Sequence, residues 1–205
     1  MKFFSSIQQK IHEKKIKHML KFCGKNVVIE PGVIFIHPEN ISIGDNVQLR
    51  RGCMLYASNS TSSENLESTP YIIIGNNVHI KENALLNTYG GFIVFGDNVI
   101  IGQNSIVYGN GGVCIGNNSG LGPLSLVIAS NHIFDKKDIP FVLQGETKQG
   151  IRIEDNVWCA GNITICDGVN IGLNAVIGAG TVIRKSVAAN AVVLGNPQKT
   201  AYIHS

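Results

Sequence analysis

The sequence predicts an all-β solenoid, in which short parallel strands coil around one axis. A six-residue period runs from Ile153 to Val187, and neither a helix nor a single strand produces that period. The first residue of each unit is apolar, and the fifth is small or β-branched. The first positions are Ile153, Cys159, Ile165, Ile171, Ile177 and Ile183, and the fifth positions are Val157, Ile163, Val169, Ala175, Thr181 and Val187. Three units close a coil of about 18 residues, and coils stack about 4.8 Å apart.

Corner residues support the same fold. A four-residue signature with Asp-Asn or Asn-Asn at its end begins at Ile43, Ile74, Phe95, Ile115 and Ile153. Asn, Asp and Gly suit such corners because they tolerate left-handed backbone angles. The successive spacings of 31, 21, 20 and 38 residues place long insertions in the first and last intervals. Without these insertions, residues 27–190 hold about seven coils of about 18 residues.

Composition narrows the class of protein. The chain has 205 residues, of which 15% are charged and 44% hydrophobic, with 23 Gly, which suits one domain of short strands and tight corners. A net charge of +3 is too small to favour a nucleic-acid partner. No apolar run reaches the roughly 18 residues of a transmembrane segment. Five scattered cysteines without a signal peptide favour the reducing cytoplasm.

The pattern divides the chain into three regions. Residues 1–24 are predicted to form an N-terminal helical cap, with a helix from about Ser6 to Phe22 that Gly24 ends. The cap would cover the open end of the β-helix. The alternative is a basic amphipathic helix on a membrane surface, which is less favoured because lysines interrupt the apolar face. Residues 25–190 form the β-helix, and residues 191–205 form a C-terminal tail that turns at Asn196-Pro197 and folds back outside.

The two insertions differ in kind. Residues 58–70 are polar and are expected to be exposed to solvent. Residues 131–150 contain apolar side chains that we expect this protruding loop to bury, which makes the loop a candidate for function. These side chains are Ile133, Phe134, Ile139, Phe141, Val142 and Leu143.

Several segments carry a family resemblance. They are SNHIFD (130–135), LQGETKQGI (143–151), NVWCAG (156–161), VIGAGTVIRKSV (176–187) and LGNPQK (194–199). They resemble the sugar and xenobiotic O-acetyltransferases of the hexapeptide-repeat acyltransferase family, and among these the enzymes that modify capsule or lipopolysaccharide. The resemblance covers Val27 to Lys199. It implies a left-handed parallel β-helix, although general crossover statistics favour the right hand, and a homotrimer with its clefts between neighbouring subunits.

The resemblance also implies a reaction. Acetyl-CoA would be the donor, no metal would be required, and His132 would be the general base that deprotonates a saccharide hydroxyl. The backbone N–H of Gly161 would stabilise the oxyanion. Trp158, at the sixth position of its unit, would point outward beside the cleft. From the residues alone, Trp158 is equally well explained by packing against a neighbouring subunit, and His132 by a surface or packing role.

Binding residues follow from the same resemblance. The coenzyme A track would comprise Gly161, Ala179, Arg184, Lys185 and Lys199. Small residues let pantetheine lie along the backbone, and the cations would meet phosphates. Without the resemblance, Arg184 and Lys185 would be a solvated corner.

The acceptor is expected to differ from that of the galactoside and maltose enzymes. Those enzymes hold their acceptor with an Asn where this chain has Gly102. Asn104 and Asn110 are the nearby polar alternatives.

Three other functions compete with O-acetylation. The first is N-acetylation of an amino sugar or nucleotide-linked amino sugar, which depends less on His132. The second is a non-catalytic β-helix scaffold, which would not need the large loop, Trp158 or the basic C-terminal corner. The third is a zinc carbonic-anhydrase-like β-helix, which needs histidines that converge from adjacent coils. His37, His79 and His132 do not share a repeat position, which argues against a metal site.

Overall fold

The computed structural model describes residues 15–58 and 71–203. These residues form a left-handed parallel β-helix with three faces, as the sequence predicts. The first face contains β1 (Phe22–Cys23), β4 (Ile41–Ile43), β7 (Tyr71–Ile74), β10 (Phe92–Phe95), β13 (Val113–Ile115), β18 (Ile151–Ile153) and β21 (Asn170–Ile171).

The second face contains β2 (Val28–Ile29), β5 (Gln48–Leu49), β8 (His79–Ile80), β11 (Ile100–Ile101), β14 (Gly120–Leu121), β19 (Trp158–Cys159), β22 (Val176–Ile177) and β24 (Ala191–Leu194). The third face contains β3 (Ile34–Ile36), β6 (Met54–Tyr56), β9 (Leu85–Asn87), β12 (Ile106–Tyr108), β15 (Leu126–Ile128), β20 (Thr164–Ile165) and β23 (Val182–Ile183). The stack therefore contains seven complete coils. We number the coils from the N-terminal end.

The core lies along the axis of the prism. Every predicted first-position residue from Ile153 to Ile183 is at most 2% exposed, and every fifth-position residue is at most 7% exposed. The parallel register places residues of the same type above one another, for example Phe95 beside Ile74 and Ile115. Because these aliphatic columns remove apolar surface from water, they supply the main stabilisation of the solenoid.

Asparagines shape the first corner, which joins the first face to the second. Asn46, Asn98 and Asn156 have φ angles of 57°, 58° and 55°, in the left-handed region that Asn tolerates best after Gly. Their side chains also bond from coil to coil, as in the 2.9 Å bond from Asn98 Nδ2 to Asn118 Oδ1. The corner prediction is confirmed.

The N-terminal helix ends earlier than predicted. A helical segment spans 15–19 within the described residues, whereas Phe22 lies in β1, which pairs with β4. The predicted helix end at Phe22 is therefore wrong. Lys21 already donates a 3.0 Å hydrogen bond from its N–H to the Ile41 carbonyl, so pairing with the next coil overrides helix propensity. The predicted helix start at Ser6 and residues 59–70 of the polar insertion lie outside the described residues.

The solenoid also continues past residue 190. β24 pairs in parallel with β22, and β25 (Lys199–Ile203) then pairs antiparallel with β24. The tail thus folds back and covers the last parallel strand edge of the second face.

Candidate active site

A β-hairpin projects from the fifth coil at the third corner, where the third face meets the first. We call residues 131–150 the arm. Its strands are β16 (Asn131–His132) and β17 (Glu146–Thr147), which pair antiparallel, and a 3₁₀ turn spans Phe141–Leu143. The Gln144 side chain braces the arm by accepting from Lys136 N–H at 3.0 Å and by donating to the Ile139 carbonyl at 2.6 Å.

Asp167 holds the base of the arm. This residue follows β20 in the next coil, and its carboxylate accepts hydrogen bonds from the Thr147 hydroxyl at 2.8 Å and from Gly150 N–H at 2.9 Å. Gln149 N–H donates to the same carboxylate at 3.0 Å. Charge-assisted hydrogen bonds are stronger than neutral ones, so this carboxylate fixes the direction in which the arm leaves the prism.

The arm does not bury its apolar side chains within its own chain, which corrects the sequence expectation. Phe134 is 72% exposed, Phe141 52% and Leu143 73%. Val142 and Ile139 are exposed as well. The arm projects away from the prism, so the packed faces of the coils do not cover it. Such a cluster of exposed apolar side chains is typical of a surface that contacts another protein chain.

His132 lies at the root of the arm. Its Nε2 atom is 3.7 Å from Glu146 Oε1, directly across the hairpin. Its ring meets Phe141 edge to face, with 5.0 Å between ring centroids and an interplanar angle of 82°. About half of the His132 side chain remains exposed. The imidazole is therefore held in place on one side and open to a ligand on the other.

A groove of about 770 Å³ runs beside His132 along the third corner. Residues from the third to the seventh coil line it, together with the arm. They include Tyr89, Tyr108, Asn110, Glu146, Asp167 and Arg184. The Tyr89 and Tyr108 rings meet at 4.9 Å in a T-shaped pair. The groove thus combines a base, an aromatic wall and one arginine.

Of the predicted site residues, the groove brings together His132, Asn110 and Arg184. Lys185 lies just outside it, beside Pro197 and Gln198. The Gln198 Oε1 atom accepts hydrogen bonds from Arg184 N–H at 2.7 Å and Lys185 N–H at 2.9 Å. The tail therefore fixes the backbone of this basic corner.

The remaining predicted residues lie elsewhere on the same chain. Gly161, Ala179 and Asn104 occupy the second corner, between the second and third faces. Trp158 points outward from the second face, 63% exposed, as its position in the repeat predicts, and Lys199 is in β25. The full width of the third face separates the second corner from His132. Asn104 also has a structural role, since its Oδ1 atom accepts from Asn83 Nδ2 at 3.3 Å.

The groove contains a cysteine that is not activated. Burial raises the pKa of the Cys166 thiol, although the nearby Arg184 acts in the opposite direction. A thiol with a raised pKa stays protonated at neutral pH and is a poor nucleophile. The groove therefore favours direct transfer between two bound substrates over a covalent thioester on this cysteine.

Histidines do not converge in the described part of the chain. His79 lies in β8 on the second face, and His37 precedes the 3₁₀ turn Pro38–Asn40. Within residues 15–58 and 71–203, no three His, Cys, Asp or Glu side chains are arranged to hold a metal ion. In the same ranges, no helix combines the length and apolar character needed to cross a bilayer.

Sequence reasoning missed four residues of this site. Glu146 and Asp167 gave no signal because their roles depend on the hairpin register and on hydrogen bonds across 17 to 20 residues. Gln198 gave no signal because it reaches the backbone of Arg184 and Lys185 only when the tail folds back. Tyr108 could have been found, since it occupies an outward strand position just before the predicted Asn110.

Comparisons with known proteins place the chain in a family. A candidate acetyltransferase of Saccharomyces cerevisiae is 38% identical over 185 residues, which are 90% of this chain and 66% of the yeast protein. A candidate acetyltransferase of Schizosaccharomyces pombe is 37% identical over 91 residues, 42% of this chain and 41% of that protein. The galactoside O-acetyltransferase of Lactococcus lactis is 43% identical over 47 residues, 23% of each chain. No protein-family model matches.

Solved structures share the fold. The N-acyltransferase AntD of Bacillus cereus, solved with dTDP-4-amino-4,6-dideoxyglucose and coenzyme A, has a TM-score of 0.67 and 18% identity, covering 95% of this chain and 89% of AntD. A hexapeptide-repeat acetyltransferase of Vibrio cholerae, solved with acetyl-CoA, has a TM-score of 0.50 and 18% identity, covering 96% and 78% of the two chains.

The fold is that of a left-handed parallel β-helix of hexapeptide repeats. The chain belongs to the hexapeptide-repeat acetyltransferase family. It spans less than two thirds of the length of each of the three relatives described above.

Proposed function

We propose that the protein is an acetyl-CoA-dependent O-acetyltransferase, and that its acceptor is a saccharide hydroxyl of a cell-surface polysaccharide or its precursor. The observation that carries the proposal is the position of His132, held between Glu146 and Phe141 at the edge of an open groove. An imidazole in this position can deprotonate a bound hydroxyl. Membership in the acetyltransferase family supports the donor.

The reaction proceeds by direct attack. The acceptor oxygen attacks the thioester carbonyl carbon while His132 takes the hydroxyl proton. A proton on Nε2, beside Glu146, leaves Nδ1 as the accepting nitrogen. The tetrahedral intermediate then collapses, the C–S bond breaks, and the imidazolium returns the proton to the CoA thiolate. Glu146 stabilises the transient imidazolium in the same manner as a carboxylate that orients a catalytic histidine.

The site is completed by a second copy of the chain in a homotrimer. The outward column of the third face is apolar in the first five coils and ends with a threonine and a valine in the last two. Its members are Ile34, Met54, Leu85, Ile106, Leu126, Thr164 and Val182. A face of this kind is stabilised when another subunit covers it. The apolar arm provides a further contact for that subunit.

The neighbouring copy supplies the second wall of the cleft. Its second corner carries Gly161 and Ala179, which His132 of the same chain does not approach. Ala160 and Asn162 donate backbone hydrogen bonds of 2.8 and 2.7 Å, whereas the N–H of Gly161 makes no backbone bond within the described residues. This N–H is therefore available for the oxyanion of the tetrahedral intermediate.

Coenzyme A lies along the cleft toward the C-terminal end. Pantetheine passes Gly161 and Ala179, where small residues permit close approach to the backbone. Arg184, Lys185 and Lys199 meet the phosphates. Trp158 contacts the cofactor or the neighbouring subunit. The exposed position of Lys199 and the fixed backbone at Arg184 and Lys185 support this assignment.

Two further assignments concern the setting of the enzyme. None of the five cysteines, which all lie in the described residues, forms a disulfide, which supports a reducing cytoplasmic location. The described part of the N-terminal region before β1 acts as the cap of the solenoid, since Ile16 packs against the core beside the buried Leu20. The solenoid extends from β1 to β24, beyond the expected bounds of residues 25–190, and β25 forms the part of the tail that folds back.

A thiol-release assay tests the proposed function. The protein is incubated with acetyl-CoA and a panel of bacterial polysaccharides, neutral oligosaccharides and nucleotide-linked amino sugars. The proposal expects acetyl-CoA to be consumed with a hydroxyl acceptor and an O-acetyl ester to be found by mass spectrometry. Transfer only to amines would contradict O-acetylation and favour N-acetylation. Failure to bind acetyl-CoA at all would contradict both and favour a scaffold.

A further inference from the structure

We infer that the acceptor segment of the groove takes an uncharged saccharide chain that stacks on Tyr108, and not a nucleotide sugar. This inference rests on the proposed function and names the chemical class of its acceptor. A nucleotide sugar carries two phosphates, which need cations or helix N-termini in the site. A neutral pyranose needs apolar or aromatic surface for its C–H face and hydrogen-bonding groups for its hydroxyls.

The charges of the groove exclude a diphosphate. Its ionisable lining consists of His132, Glu146, Asp167, Arg184 and the thiol Cys166. Lys148 lies 3.8 Å from Glu146 and offsets that carboxylate. Arg184 is at the C-terminal end of the groove, where the proposed function uses it for coenzyme A. Apart from Lys148, which Glu146 neutralises, the acceptor end has no lysine or arginine among the described lining residues, so it offers a diphosphate no net positive charge.

The opposing wall is also uncharged over coils four to seven, whereas the second corner of the third coil carries one residue of each sign, Lys81 and Glu82. In a trimer with parallel axes, coils of equal number lie at the same height. In coils four to seven, the second corner consists of residues 102–105, 122–125, 160–163 and 178–181. These residues include Gln103, Pro123 and Leu124 and contain no Lys, Arg, Asp or Glu. The outward residues of the second face in these coils are Ile100, Gly120, Trp158 and Val176, which are uncharged as well.

The acceptor end of the groove has aromatic side chains, Tyr89 and Tyr108, where a diphosphate site would have cations. Tyr89 has a φ of 45°, a conformation that is unfavourable for a bulky residue. Most other left-handed corner positions among the described residues carry Asn or Gly. The backbone thus tolerates strain that places the Tyr89 ring against Tyr108. The whole groove, including its Arg184 end, measures about 770 Å³, which lies within the range of about 300–1,000 Å³ for ligand sites and leaves room for a saccharide beside Tyr108.

Binding measurements test the inference. Saturation-transfer NMR in the presence of coenzyme A compares neutral glucose and galactose tetrasaccharides with dTDP-glucose and UDP-N-acetylglucosamine. We expect the tetrasaccharides to bind, Tyr108→Ala to weaken their binding about tenfold, as expected for a lost stacking contact, and Tyr108→Phe to retain most of it. Tyr56→Ala is the matched control, because Tyr56 occupies the same outward position two coils earlier.

Three results would overturn the inference. These are tighter binding of a nucleotide sugar than of every tetrasaccharide, no tetrasaccharide binding, or tetrasaccharide binding that Tyr108→Ala leaves unchanged. Calorimetric titration of the parent protein with acetyl-CoA tests the proposed function independently of the acceptor class. Loss of acetyl-CoA binding contradicts the proposed function, whereas acetylation of a nucleotide sugar contradicts only the acceptor class.

Discussion

His132 and Glu146 face each other across the root of the arm, with 3.7 Å between His132 Nε2 and Glu146 Oε1. The antiparallel register of β16 and β17 fixes this pair. The distance is too long for a hydrogen bond, but it is short enough for the carboxylate to stabilise a positive charge that forms on the imidazole during proton transfer. In the proposed mechanism Glu146 is therefore a positioning and electrostatic residue, and His132 contacts the acceptor.

The first prediction concerns this pair. Glu146→Gln keeps the shape of the side chain and removes its charge. We expect kcat to fall by roughly two- to fivefold, the range that a partly exposed ion pair supports, while the KM for acetyl-CoA and the Tm stay unchanged. Steady-state kinetics and thermal melts check this result. Glu154→Gln, which breaks the 2.6 Å contact with Arg152 Nε on the first face, should leave kcat unaltered. Equal rates for the Glu146→Gln variant and the parent would remove Glu146 from the mechanism.

The second prediction concerns the base of the arm. Asp167→Ala removes the acceptor of hydrogen bonds from Thr147, Gln149 and Gly150. The arm should open locally, because each lost charge-assisted bond costs about 1.5–3 kcal/mol. We expect trypsin to cleave after Lys136 and Lys137 faster than in the parent, and kcat to fall. Asp138→Ala changes an exposed carboxylate on the arm itself and is the control. If the two variants are digested equally fast, Asp167 does not hold the arm.

The third prediction concerns the second wall of the cleft. Leu126→Asp puts a charge in the apolar column of the third face and should convert the trimer into monomers that lack transferase activity. Light scattering follows the mass, which should drop from three chains of 22.1 kDa to one. Ile73→Asp, an exposed position on the first face, should remain trimeric. A parent protein that is monomeric at micromolar concentration would contradict the proposed cleft.

Mixed trimers sharpen the same test. His132→Ala and Gly161→Phe should each be inactive, since one lacks the base and the other blocks the backbone at the second corner. When the two variants are unfolded together and refolded in equal amounts, about a quarter of the clefts should combine an intact His132 with an intact Gly161 from a neighbour. Activity near a quarter of the parent level is expected. No recovery of activity would mean that both residues act within one chain.

A fourth prediction concerns alkaline stability. Burial raises the pKa of the Cys159 thiol from about 9.0 to about 12. The folded state therefore holds a proton that the unfolded state releases above pH 9, so this contribution to stability is complete below pH 9 and is lost as the pH rises toward 12. Urea unfolding at pH 8 and pH 10.5 should show a smaller loss in Cys159→Val than in the parent, because each pH unit is worth about 1.4 kcal/mol. Parallel losses would argue against a buried neutral thiol.

The sequence predicted the solenoid well because its determinants are local. Each coil repeats the same inward aliphatic column and the same Asn or Gly corners, so the periodicity alone identifies Ile165 or Asn98 as structural. The end of the N-terminal helix was mispredicted at Phe22 because Phe22 pairs with β4, a strand that begins at Ile41, 19 residues away. The Ile41 carbonyl accepts a hydrogen bond from the Lys21 N–H and so ends the helix before Phe22. Local propensity carries no information about such a partner.

The candidate site was only partly predictable. The family resemblance implies His132 and Arg184, Asn110 is a polar alternative near Gly102, and the structure places these three residues in one groove. Glu146 depends on a hairpin register, and Asp167 depends on hydrogen bonds between consecutive coils. The expected burial of the arm failed because the direction in which the arm leaves the prism depends on hydrogen bonds to Asp167 in the next coil, which a single sequence does not show.

The most direct test of the account is the kinetics of His132→Ala. The side chain is half exposed at the root of the arm and outside the aliphatic columns, so the variant should fold, trimerise and bind acetyl-CoA like the parent. Its transfer rate to the best hydroxyl acceptor should fall by roughly 10²–10⁴, the usual contribution of a positioned general base, and the limb of the pH–rate profile that rises as imidazole loses its proton should disappear. A variant that binds acetyl-CoA and retains most of the parent's kcat on that hydroxyl would contradict the general-base assignment.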